Sequence, residues 1–300
     1  MRVTGAASVR VPATSANLGP GFDALGLALS LYDDVAVEVT DDGVQFALSG
    51  QGVDDVPRDE THLVVRSMRR ALAEMGAQAP GLALSATNRI PHGRGLGSSA
   101  AAICAGVVLA RALVRGSGGS GLEDDDVVAL AGELEGHPDN VAACLLGGAT
   151  VAWTGSDHRA HAVAIDVDPS IAAVIFIPAF ESSTEAARGL LPPSVPHLDA
   201  VANGARSALL VTALARRPDL LFTATEDRLH QPYRAAAMPA SAALLQRLRS
   251  EGLAAVISGA GPTVLVLAAS SEQVQRALSY APPAWSCRSV AIAGTGALAG

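Results

Sequence analysis

The segment Pro91-His92-Gly93-Arg94-Gly95-Leu96-Gly97-Ser98-Ser99-Ala100 places three alternate glycines ahead of two hydroxyls. A proline-free run of small and apolar residues follows to Leu113, so the segment reads as a glycine loop opening into a helix. Backbone N–H groups and the positive end of a helix together suit a phosphate. Glycines let a polyanion come close to the backbone. The two hydroxyls can cap the helix or reach a phosphate-bound metal. From spacing alone, a phosphate cradle and an ordinary capped helix fit equally well.

Three other stretches carry chemically useful groups. Glu133 and Glu135 precede His137, Asp139 and Asn140, and a carboxylate with a serine hydroxyl is a suitable hard-oxygen set for a divalent cation. The plain alternative is a helix end, with Gly136 as cap and Pro138 as stop. Thr14 to Asp23 offers the Asn17 carboxamide and the Asp23 carboxylate to a small polar ligand, or is a surface turn. Ser258-Gly259-Ala260-Gly261-Pro262-Thr263 lies between two apolar runs, where a tight turn or a close backbone approach is expected.

The elements around these residues mix strands and helices. Strands are expected at Ser8–Ala13, Val35–Val39, Val44–Leu48, Leu82–Thr87 and Thr150–Trp153. Asp41-Asp42-Gly43 is read as the turn pairing the second with the third. Helices are expected over His62–Met75, from the glycine loop to about Val114, and from Glu123 to the Glu133–Gly136 region. The composition turns polar near 155–160, which suggests domains of 1–158 and 159–300. The second half reads as strands Ala162–Val167, Ile171–Ile177, Ala254–Ser258, Thr263–Ala268 and Ser286–Ala293. Its helices are Ser183–Leu191, Leu198–Arg216, Ser241–Glu251 and Glu272–Ala277. The uneven spacing favours α+β over a doubly wound sheet.

Composition narrows the function. The 300 residues are 49% hydrophobic and only 3% aromatic, ample for an aliphatic core. A net charge of −8 argues against a nucleic-acid footprint. The sequence contains no lysine, which excludes a Walker A loop, a Schiff-base enzyme and the protein-kinase phosphate lysine. Cys104, Cys144 and Cys287 are far apart and form no CxxC, so no disulfide framework or zinc cluster is indicated. Arg10 and Pro12 interrupt any signal-peptide pattern, and no uninterrupted apolar stretch reaches spanning length, so a soluble cytoplasmic setting without membrane partners is expected. Gly-x-Gly-x-Gly lacks the GxGxxG spacing of a dinucleotide fingerprint.

Taken together, Pro12–Asp23, Pro91–Ala100, Glu135–Asn140 and Ser258–Thr263 resemble the GHMP kinases. Pro-x-Gly-x-Gly-Leu-Gly-Ser-Ser-Ala is that superfamily's phosphate loop, met here at every position. Pro12–Gly26, Glu135–Ala142, Ser183–Arg188 and His230–Arg234 are similar to its homoserine kinase branch, and the resemblance spans nearly the whole chain. It implies a two-domain α+β fold, with a left-handed βαβ unit in the N-terminal domain and a ferredoxin-like C-terminal domain. It implies ATP and Mg²⁺, phosphorylation of L-homoserine for threonine synthesis, and often a homodimer, although no interface is written in the residues. Arg188 and Arg234 would hold the substrate carboxylate. Asp23 would pair its ammonium, with Asn17, His137 and Thr184 around it. Pro91, Gly93, Arg94, Gly95, Leu96, Gly97, Ser98, Ser99, Gly259 and Gly261 would surround the phosphates, with His62 and Asn88 near the adenine. Ser99 and Glu135 would hold the metal, with Ser98 and Glu133 as rivals. Asp139, with Asn140 and His137, would stand at the reacting hydroxyl. Asp139 as base remains open beside a base-free route, which a loose transition state favours. A mevalonate-type kinase and a non-catalytic binding protein on this fold are the competing readings.

Overall fold

The structure, a computed structural model, describes residues 1–182 and 184–299. The first half runs β1 (Ala6–Asn17), β2 (Gly21–Thr40), β3 (Val44–Gly50), α1 (Leu63–Glu74), β4 (Gly81–Asn88), α2 (Ser98–Gly116), α3 (Asp124–Glu135), α4 (Pro138–Leu146), β5 (Ala149–Thr154) and β6 (Ala160–Ile165). The second half runs β7 (Ala172–Ile177), α5 (Thr184–Gly189), α6 (His197–Arg216), α7 (Leu221–Ala224), α8 (Gln231–Arg234), α9 (Pro239–Ser250), β8 (Ala254–Ile257), β9 (Val264–Ala268), α10 (Ser271–Leu278) and β10 (Ser286–Val290).

The first sheet has the order β3-β4-β2-β5-β6, with β1 paired to β2. Its spine is β2, a single strand of 20 residues. Val35 and Val37 face the core from it while Glu38 points outward, the alternation that a half-covered sheet requires. Helices α1 and α2 pack on this core. Gly106 of α2 permits the approach, because a Cβ there would meet the Ser67 Cβ at 2.7 Å. The second sheet has the order β10-β7-β9-β8, all antiparallel, with helices between β7 and β8 and between β9 and β10. That is a βαββαβ, ferredoxin-like arrangement, as the resemblance implied.

One expectation, the strand pairing after β2, is corrected. The turn at Asp41-Asp42-Gly43 does not pair β2 with β3. Strand β4 inserts between them, antiparallel to β2 and parallel to β3, so β3–α1–β4 is a parallel βαβ unit. The hairpin signal was local, whereas the apolar faces of Leu82 and Leu84 compete for the central position and are almost fully buried there. The chain stays in the first sheet through β6, which pairs with β5 to Ile165, beyond the 158/159 division. The tail then returns: Ser30 N–H donates to Ala291 O and Ala293 N–H to Ala28 O, at 2.9 and 3.0 Å. Helix α2 is also long and apolar enough, by composition, to cross a membrane. It is instead a core helix, with 72% of its most apolar window buried.

Candidate active site

The glycine loop meets α2 as a cradle. Gly93, Gly95 and Gly97 have φ of 61, 73 and 70°, the left-handed region that glycine adopts without strain. Gly97 is the N-cap residue of α2 and no side chain caps that end, so the capping role open to the serines is not taken up. The first-turn amides are thus left for another acceptor. Ser99 Oγ instead donates to Glu135 Oε1 at 2.6 Å. Burial raises the Glu135 carboxyl above its ordinary value, and the Ser99 hydrogen bond partly offsets this. Glu133 points elsewhere, 3.4 Å from Arg70 on the surface. Of the two glutamates, Glu135 is the one beside the loop.

A cavity of about 230 Å³ opens in front of this cradle. It gathers Gly93, Gly95, Gly97, Ser98, Ser99 and Glu135 on one side and Asn17, Asp23, Arg188 and Arg234 on another. His137, Asp139, Asn140, Gly259 and Gly261 complete its walls. Asp139 opens α4, 2% exposed, and its Oδ1 accepts from Asn140 N–H at 2.7 Å. Burial, with Asp23 adding to it, pushes the Asp139 pKa up to about 7. Asn140 Oδ1 accepts from the Thr14 hydroxyl at 2.7 Å, which fixes the amide. Burial first, and then the Arg188 charge, lower the His137 pKa, so its imidazole is neutral at pH 7.

The expected substrate groups pair with one another. Arg188 makes a two-pronged contact with Asp23, Nη1 to Oδ2 at 3.0 Å and Nη2 to Oδ1 at 2.5 Å. Asn17 is likewise engaged: its Nδ2 donates to Gly259 O at 2.8 Å and its Oδ1 accepts from Asp23 N–H at 3.0 Å. It shapes the Asn17–Asp23 loop while lining the cavity. Arg234 is 2% exposed and donates from Nε to Ala187 O at 3.1 Å. Its guanidinium and that of Arg188 both lie on the Phe22 ring, 5.2 and 5.5 Å from the centroid. Phe22 was not read from the sequence as a site residue, because an apolar residue in a glycine turn gives no chemical signal.

Other expected residues lie outside this cavity. His62 and Asn88 line a neighbouring, more apolar cavity of about 390 Å³ that shares Ser98 and Ser99 with the first. His62 Nδ1 is buried there without a hydrogen-bond partner. The Arg94 side chain turns away from this cavity: its guanidinium donates to Pro178 O at 3.1 Å and Ala179 O at 2.7 Å, and pairs with Glu181 at 3.0 Å. It faces the rear of the loop, beside Pro91, and carries the loop on the second sheet. Leu96 is core, 1% exposed. The Thr184 side chain lies outside the described residues, as does Ser183.

Among the described residues no cluster of three or more His, Cys, Asp or Glu could hold a metal ion. At the loop, Ser99 and Glu135 offer one hydroxyl and one carboxylate. That fits Mg²⁺, which commonly takes one or two carboxylates and completes its shell with phosphates and water.

Comparison with known proteins agrees with this architecture. The GHMP kinases N terminal domain matches residues 62–148, and the GHMP kinases C terminal domain matches 205–284. The homoserine kinase of Streptomyces avermitilis is 60% identical over 273 residues, covering 90% of this chain and 89% of its own. That of Mycolicibacterium smegmatis is 51% identical, covering 90% and 87%. The crystal structure of homoserine kinase from Cytophaga hutchinsonii superposes with a TM-score of 0.84 at 28% identity, covering 97% of this chain and 96% of its own. With the fold, the loop and these relatives in agreement, the chain belongs to the homoserine kinase family of the GHMP kinases.

Proposed function

We infer that the chain transfers the γ-phosphoryl group of ATP to the side-chain hydroxyl of L-homoserine, giving O-phospho-L-homoserine and ADP, a step of threonine biosynthesis. The observation that carries this is one cavity with two unlike walls. An uncapped helix N-terminus with Ser99 and Glu135 forms one, and Asp23, Arg188 and Arg234 form the other. The first suits a polyphosphate. The second presents two cations and one anion, complementary to an amino acid's carboxylate and ammonium.

In this reading Gly93 to Ser99 hold the phosphates by backbone N–H, and His62 and Asn88 border the nucleoside in the adjoining cavity. The unpartnered His62 Nδ1 is a polar atom that a purine edge would satisfy. Ser99 and Glu135 would hold Mg²⁺, which when bound neutralises charge on the transferring phosphoryl group. On entering, the substrate zwitterion exchanges partners with the Asp23–Arg188 pair, its ammonium taking Asp23 and its carboxylate Arg188 and Arg234. The hydroxyl oxygen bonds to the γ-phosphorus as the bond to the ADP oxygen breaks, and the hydroxyl proton passes to a phosphoryl oxygen. Asn140, fixed by Thr14, and neutral His137 orient the hydroxyl. A step that consumes ATP on a small metabolite is expected in the cytoplasm.

The test is ADP release with L-homoserine, R-mevalonate and galactose supplied in turn with MgATP. Turnover with homoserine alone is expected. Equal turnover with mevalonate would remove the amino-acid assignment, and ATP binding without ADP from any acceptor would leave a binding protein.

A further inference from the structure

His230 is fully buried, has no contact with the cavity itself, and yet makes the hydrogen bond that sets Arg234. Its Nε2 lies 2.8 Å from Gly19 O, and its Nδ1 lies 3.3 Å from Arg234 Nη1. A carbonyl only accepts and a guanidinium only donates, so the two neighbours together dictate the tautomer. The proton sits on Nε2, and the Nδ1 lone pair receives Arg234. The ring packs on Phe22 with centroids 5.1 Å apart, and Phe22 in turn carries the Arg234 guanidinium. Below it, the Asp227 carboxylate accepts from Gln231 N–H at 2.7 Å and Leu229 N–H at 2.8 Å, which holds the start of α8.

We propose that His230 is a positioning residue for substrate: by accepting from Arg234 while tied to Gly19, it fixes the guanidinium plane that receives the substrate carboxylate. The proposal rests on the carboxylate reading of Arg234 given above. The geometry makes the case. Among the described residues Arg234 has no ion-pair partner, in contrast to Arg188: its direct hydrogen-bond acceptors are neutral, while the Asp23, Asp227 and Asp139 carboxylates act on it at longer range and Asp227 Oδ2 lies 3.5 Å from His230 Nε2. Ala187 O fixes Nε, His230 fixes Nη1, and Phe22 supports one face. A carboxylate in place of His230 would neutralise Arg234 and compete with the substrate; a neutral imidazole positions the cation and leaves its charge for the ligand. The same ring ties α8 to the Gly19 backbone, in the turn that presents Asp23, so both poles of the substrate zwitterion are referenced to one side chain.

The test separates acceptor, packing and fold. His230→Asn keeps an acceptor near the Nδ1 position, whereas His230→Phe keeps the ring on Phe22 and removes both polar atoms. His230→Phe is expected to raise the homoserine KM by about tenfold or more, the scale of one lost hydrogen bond to a charged group. Its kcat and ATP KM should stay near the parent values, and His230→Asn should restore most of the affinity. If the Phe variant does not fold, His230→Gln, which keeps a donor for Gly19, takes its place. In an Arg234→Gln background the His230 substitution should add nothing further. Equal effects of Asn and Phe, or homoserine and ATP KM values rising together, would overturn the proposal. Arg234→Gln with an unchanged homoserine KM would overturn the carboxylate reading itself. A raised KM in Arg234→Gln beside an unaffected His230→Phe would sink only the positioning role.

Discussion

Asp139 shows how one buried carboxyl trades stability against protonation. Its pKa of about 7 lies above the ordinary 3.8, chiefly because burial disfavours the charge. The folded state therefore holds the proton more tightly than the unfolded one. The associated stability is present below about pH 4 and is lost as pH rises toward 7. Asp139→Asn removes the charge while leaving an oxygen for Asn140 N–H. At pH 8 the variant should be more stable than the parent by roughly 2–4 kcal/mol, with the gain vanishing near pH 4, as read from denaturant titrations at the two pH values. The same variant decides the chemistry. Positioning without a base predicts kcat within about tenfold of the parent, whereas loss of a required general base costs about 10²–10⁴-fold and abolishes the acid limb of kcat/KM. The residue types around Asp139 were legible in the sequence, because Asn17, Asp23, His137, Arg188 and Arg234 fall in motifs. Their mutual arrangement was not. Asp23 and Arg188 are 165 positions apart, and no spacing rule says that they bond to each other.

The element that carries most of the functional argument is the loop that opens α2. Its glycines were read as permitting a ligand, and the structure shows that they also admit neighbouring protein. A Cβ on Gly95 would collide with Ser258 O, and one on Gly97 with Thr14 Oγ1. Thr14 is the residue whose hydroxyl fixes Asn140, so Gly97 lies at the junction of the phosphate and hydroxyl sides. Gly97→Ala adds left-handed backbone strain of about 1–2 kcal/mol to that collision. The variant should lose at least that much stability and show raised KM for ATP and reduced kcat. A normal ATP KM with intact folding would mean that the loop has room to spare. The helices around the loop were legible for a simple reason: a 3.6-residue period and a glycine stop are local signals. The place of β3 was not, because which strand lies between two others is decided by long-range burial. Asp41-Asp42-Gly43 looks the same to its neighbours whether or not β4 inserts.

For the whole molecule, the question is how two sheets keep one cavity in register. The tail after β10 returns to β2, and the Asn17–Asp23 turn is clasped from the second half by Asn203, Ser207 and His230. Arg94 adds a fastener at the nucleotide side. It reaches from the phosphate loop to the carbonyls of Pro178 and Ala179 just after β7, and Ser182 N–H returns a bond to Gly93 O at 3.0 Å. The fastened segment leads directly into α5, which carries Arg188. The loop that would hold ATP and the helix that would hold homoserine thus share one anchor. Arg94→Met keeps the apolar stem and removes the donors. The freed Ala179 carbonyl is exposed and regains water, whereas that of Pro178 lies on a buried residue, so the loss in stability should be about 1–3 kcal/mol. Glu181→Gln should cost under about 1 kcal/mol, since that carboxylate is 68% exposed and its pairing is screened. In steady-state kinetics Arg94→Met should raise the KM of both ATP and homoserine, because releasing the anchor moves both walls. A rise in the ATP KM alone would instead confine the Arg94 side chain to the phosphate side and remove the shared anchor.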